Sequence, residues 1–201
     1  MAKTICFIGV DGAGKGTVIG ALADHFTSRN VDVKTYYFGW KPFLPTTRIL
    51  SALFKKRDYK ITEQFNKHRS QRMSIVKEMA LAYYFIEYFA RYLYVRASRR
   101  HAVLLFDRYF YDIYAHYDYG AASRVMPLLL RLFPRPAHLF VLDVAPDVAH
   151  QRKPEMAVEL LKRHRNHYLT LAQKLKARVV STDKSVHETM NEIITTIGDS
   201  Q

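Results

Sequence analysis

The chain has 201 residues, 49% apolar and 24% charged, which excludes disordered, collagen-like and disulfide-scaffold classes. A chain of this length buries roughly 70% of its unfolded surface, so one domain spanning 1–201, built on one core, is expected. Lys and Arg number 31 against 18 Asp and Glu, and the resulting +13 implies an anionic partner: nucleotide phosphate, nucleic acid or an acidic membrane surface.

The first apolar run, residues 4–10, has strand length and is too short for the apolar core of a signal peptide. It contains the only cysteine, Cys6, so no internal disulfide or cysteine metal cluster can form, and a reducing cytoplasm is the expected compartment. A glycine-rich loop and a helical segment follow. A more polar strand is predicted over 31–38, then a proline-containing surface loop over 39–45, near a site. The most apolar window, 80–95, is broken by Glu87 and Arg91 and falls short of a membrane span, so no membrane partner is expected. Within it Tyr84, Tyr88 and Tyr92 recur every four residues, a stripe that fits core or a dimer interface and could also stack bases.

Further strands are predicted over 102–106, 138–142 and 178–181. Their continuous apolar character is that of parallel strands covered on both faces, and their alternation with helical segments makes the fold α/β. Leu161, Tyr168, Leu171 and Leu175 form one stripe opposite Lys162, Arg163 and Arg165, which gives a basic amphipathic helix. At the end, Ser185 and Glu188 read as a capping box, and Val186, Met190, Ile193, Ile194 and Ile197 form the buried stripe of a closing helix.

The chemistry is concentrated in Gly9-Val10-Asp11-Gly12-Ala13-Gly14-Lys15-Gly16-Thr17, where a buried strand gives way to a helix. Glycines let backbone N–H groups curl around a phosphate, the helix N-terminus adds positive potential, and Lys15 supplies a charge for the outer phosphates. The other reading is a glycine-rich turn that merely joins strand to helix. Gly16 stands where the strict P-loop pattern has a Ser or Thr to ligate Mg²⁺, and Thr17 comes one residue later. The loop is expected to be exposed and Lys15 to pack against nothing, so that its removal spares the fold.

These residues resemble the thymidylate kinase version of the P-loop, with Asp11 before Gly-Ala-Gly-Lys. Asp107-Arg108-Tyr109 after the 102–106 run is similar to that family's Asp-Arg-Tyr signature. Leu142-Asp143-Val144 with Pro146-Asp147-Val148-Ala149 and Arg152 resembles the strand and helix leading to its lid, and residues 179–183 its last strand and adenine-bordering loop. The resemblance implies a P-loop NTPase-type three-layer α/β/α fold with a five-stranded parallel sheet. It implies transfer of the γ-phosphoryl of ATP, with Mg²⁺, to a nucleoside monophosphate, dTMP first, in a homodimer of nucleotide-binding subunits.

Residues 11–17 would then hold the nucleotide, with Lys15, Arg108 and Arg152 catalytic and a short lid near 150–157. Lys153, Arg163 and Arg165 stand behind Arg152. Asp107 and Thr17 would serve Mg²⁺, and Asp11, Lys41, Tyr83 and Arg108 the acceptor. The acceptor side departs from the family pattern: Lys41 replaces an arginine, Glu87 an arginine that serves the acceptor phosphate, Asp112 a serine and His116 a tyrosine. A P-loop kinase with another small-molecule acceptor is the alternative. A nucleotide-regulated nucleic-acid binder is a third, resting on basic clusters such as Lys55-Lys56-Arg57. No RNP, zinc-finger or helix-turn-helix signature accompanies them, so nucleic acid is not the expected partner.

Overall fold

The computed structural model describes residues 3–39, 75–98, 102–116 and 123–198. Five strands, β1 (Thr4–Ile8), β2 (Val33–Tyr37), β3 (Val103–Asp107), β4 (His138–Asp143) and β5 (Arg178–Ser181), form one parallel sheet in the order β2-β3-β1-β4-β5. All five expected strands are present, but β5, at the edge of the sheet, is exposed at three of its four residues and is not covered on both faces as its apolar run predicts. β1 ends two residues early because Gly9, at φ 150°, already starts the loop, while β3 and β4 each run on to an aspartate.

Central β1 is buried along its whole length, as its unbroken apolar run requires. The described helices are α1 (Lys15–Ser28), α2 (Ile75–Ser98), α3 (Asp112–His116), α4 (Met126–Leu132), α5 (Pro146–Arg152), α6 (Val158–Leu175) and α7 (Val186–Gly198). Helices lie on both sides of the sheet, giving the P-loop NTPase-type α/β/α arrangement. α1 packs on α7, and α6 packs on α3, α5 and the β4–β5 edge.

The stripe on α6 is realised, with Leu161, Tyr168 and Leu171 buried and Leu175 partly so. The capping box also forms: Ser185 N–H donates to Glu188 Oε2 at 3.0 Å, and Glu188 N–H donates to Ser185 Oγ at 3.2 Å. One member of the α7 stripe is corrected. Val186, in the first turn, is 41% exposed, and Thr189 is buried in its place, its hydroxyl donating to Ser185 O at 3.0 Å.

Of the expected tyrosine stripe on α2, Tyr88 and Tyr92 belong to the core, whereas Tyr84 is only half-buried. Tyr88 meets Phe38 and Phe110 edge-on, and Tyr92 meets Tyr109 and Phe133. This aromatic layer fixes the turn after β3. Tyr109 is fully buried and donates its hydroxyl to Pro134 O at 2.8 Å, so the two residues before it are set at the sheet's carboxyl edge.

Candidate functional site

The strand-to-helix loop is shaped by two contacts that only glycine allows. A Cβ on Gly12, at φ 86°, would lie 2.3 Å from Ala149 O of α5, and one on Gly9 would lie 2.4 Å from Leu142 O of β4. The loop is thus pressed against the β4–α5 connection. At Gly14 and Gly16 a Cβ would meet nothing within 4 Å, which leaves open space over the start of α1. Gly14 takes the left-handed conformation at φ 75° and its carbonyl accepts from Val18 N–H, so the helix begins on bare backbone.

Lys15 corrects the sequence expectation. It is only 7% exposed, and its ammonium donates to Gly9 O at 2.9 Å and Val10 O at 2.8 Å. Burial and then the Arg108 charge bring its pKa down to about 8, against the pull of Asp112, Asp11 and Asp107. The side chain folds back because carbonyls of its own loop are the acceptors within reach.

Arg108 has a left-handed backbone, φ 67°, rare for a residue with a side chain. Its N–H donates to Phe7 O at 2.9 Å, and its guanidinium enters the same crevice. Nη2 pairs with Asp11 Oδ1, and Nη1 lies 2.5 Å from Asp112 Oδ2. The Tyr168 hydroxyl donates to Asp112 Oδ1 at 2.5 Å. These carboxylates hold the guanidinium far above its ordinary pKa although burial opposes them.

Asp107 lies beside it with Oδ1 buried and accepting no hydrogen bond, and burial raises its pKa against the attraction of Lys15 and Arg108. Thr17 is exposed on the first turn of α1. Among the described residues no three His, Cys, Asp or Glu side chains converge as a ready metal site. A buried carboxylate oxygen that accepts no hydrogen bond, close enough to Lys15 to feel its charge, is a hard donor of the kind Mg²⁺ takes, so the residues present fit that ion.

No family model matches the sequence of the chain, and no curated protein does. A solved structure does match. A crystal structure of thymidylate kinase from Ehrlichia chaffeensis superposes with a TM-score of 0.61, covering 98% of this chain and 98% of that one at 17% identity. The likeness shows a shared fold.

The remaining expected residues are spread around this edge. Arg152 ends α5 and turns toward β5, where Nη2 donates to Thr182 O at 3.0 Å. Its neighbour Lys153 feels the charges of Asp11 and Arg108 and pairs with Glu155 at 3.0 Å. Arg165 grips Asp143 at the end of β4 in a bidentate pair of 2.6 and 2.7 Å. Tyr83 is half-buried on α2 against Tyr84.

Glu87 is buried, and Arg91, one turn on, donates to Tyr37 O at 2.5 Å and Gly39 O at 3.4 Å with its guanidinium over the Phe38 ring. Lys41 and the basic cluster at 55–57 lie outside the described residues, as does most of the 39–45 loop. The part that sequence reasoning missed is Tyr168. Its helical spacing marked it as core, and nothing in that spacing told that its hydroxyl ends on Asp112 of another helix.

Proposed function

We propose that the chain, as a single kinase domain, is an ATP-dependent phosphotransferase that moves the γ-phosphoryl group to a small-molecule acceptor. A nucleoside monophosphate, dTMP first, is the acceptor that the sequence resemblance implies. One observation carries the reading: Lys15, Arg108 and Asp107 come from two neighbouring strand ends to the rim of a loop whose Gly14 and Gly16 leave room for phosphate.

Phosphoryl transfer asks for positioning and charge cancellation more than for covalent work by the protein. The amides of residues 12–17 bind the phosphate chain. Lys15 exchanges two loop carbonyls for phosphate oxygens, and Arg108, held between Asp11 and Asp112, borders the transferred group and lends it positive charge. Asp107 and Thr17 are the residues that would hold Mg²⁺, and the ion would supply positive charge against the phosphates. A short lid near 150–157 is part of this reading; Lys153 there feels the charges of Asp11 and Arg108, whereas Arg152 is bonded to Thr182 O.

The test is incubation with Mg-ATP and a panel of nucleoside monophosphates, recording ADP, beside calorimetry of ATP and ADP. Binding of both nucleotides, lost in Lys15→Ala, is expected; a chain that binds neither refutes the reading. A second reading keeps this machinery and changes the acceptor. The pairing of Arg108 with Asp112, where the resembled family has serine, favours it.

A further inference from the structure

Resting on the P-loop kinase reading, and on its second form, we propose that the acceptor reacts through an uncharged hydroxyl group and not through a phosphate. The ground is the occupancy of Arg108. One end of its guanidinium is taken by Asp11, the other by Asp112, and Asp112 is itself fixed through its second oxygen by buried Tyr168. Asp11, Asp107 and Asp112 all lie in the field of Lys15 and Arg108, so three carboxylates share two cations.

With Lys15 on the triphosphate and Asp107 assigned to the metal, the acceptor side keeps two carboxylates, Asp11 and Asp112, against one guanidinium. Cations on two other elements are already engaged. Arg91 is committed to two carbonyls and a ring face beside Glu87, and Lys153 brings Glu155 with it. An acceptor phosphate, carrying up to two negative charges, would have to displace a carboxylate from Arg108 and remain in its field. A hydroxyl carries no such charge and donates a hydrogen bond to the same carboxylates.

Asp11 is the more open of the two, its side chain 17% exposed against 10% for Asp112, and is the group assigned to the hydroxyl proton. In the step the acceptor oxygen forms a bond to the γ-phosphorus and the bond from that phosphorus to the β–γ bridging oxygen breaks. The electron pair leaves with ADP, and the hydroxyl proton passes to the Asp11 carboxylate.

The experiment titrates thymidine monophosphate and, separately, thymidine onto the ADP-loaded protein, wild type and Asp112→Asn, with Tyr168→Phe as a variant that loosens the same chain without changing charge. Mg-ATP turnover on nucleoside monophosphates is recorded in parallel. Wild type is expected to bind the monophosphate no better than thymidine and to turn over no monophosphate. Asp112→Asn should gain about tenfold or more for the monophosphate alone, and Tyr168→Phe should gain nothing. Turnover of any monophosphate by wild type, no gain in Asp112→Asn, or an equal gain in Tyr168→Phe overturns the proposal. Should Asp112→Asn fail to hold ADP, Asp11→Asn replaces it under the same criteria. ADP binding by wild type is the separate check: its absence would refute the kinase reading itself, whereas intact ADP binding with monophosphate turnover refutes only the hydroxyl acceptor.

Discussion

At Lys15 two demands meet on one ammonium group. It is buried against two carbonyls of its own loop and shares the crevice with Arg108, and its pKa is lowered to about 8 from an unfolded value near 10.5. A lysine shifted in this direction weakens the ligand-free fold below about pH 8, and the penalty is relieved as pH climbs from about 8 toward 10.5, where the unfolded chain still binds the proton. Phosphate needs the charged form, so ATP affinity should fall as pH rises above about 8, and binding there should be accompanied by proton uptake. Calorimetry in buffers of different ionisation enthalpy reads that uptake. Lys15→Ala should lose it, together with nucleotide affinity, at a stability cost of about 1–2 kcal/mol for two carbonyls deprived of a donor. Uptake that persists in the variant would assign the proton to another group.

Among the elements, the loop and α1 divide their glycines by job. Gly12 is locked by Ala149 O at φ 86°, so Gly12→Ala should push α5 off the loop and lower the melting temperature. Gly20 lies in the exposed face of α1, where an added methyl group would meet nothing within 4 Å, so Gly20→Ala should raise stability by about 0.5–1 kcal/mol. Urea unfolding of the two variants should move in opposite directions; equal shifts would contradict the division. The same elements show what was legible locally. The capping box of α7 and the stripe of α6 were readable because both ends of each interaction lie within one helix. The exposure of Val186 was not, because β5 and Ser185 decide which turn of α7 is covered.

For the whole molecule, α2 leaves a stripe uncovered. Ile75, Met79, Ile86 and Leu93 are 79%, 67%, 59% and 49% exposed and fall within one helix face at the ordinary helical spacing. We propose that this face supports the homodimer implied by the family resemblance. Sedimentation velocity should find a dimer, and Met79→Glu with Ile86→Glu should yield monomers that still bind ADP; a wild-type monomer at high concentration counts against it. Among the described residues no helix is long and apolar enough to cross a membrane.

The sequence by itself determined the five strands, their alternation with helices and the glycine-rich loop between the first strand and its helix, because each rests on neighbours in the chain: apolar runs, turn glycines and helical spacing. Only the tertiary structure decided that Lys15 is buried, that Arg152 faces β5 and that Arg108 is held by Asp11, Asp112 and, through it, Tyr168. Those contacts on Arg108 join residues 4 and 97 positions apart across separate elements, and a pairing of that kind leaves no periodic trace in the chain.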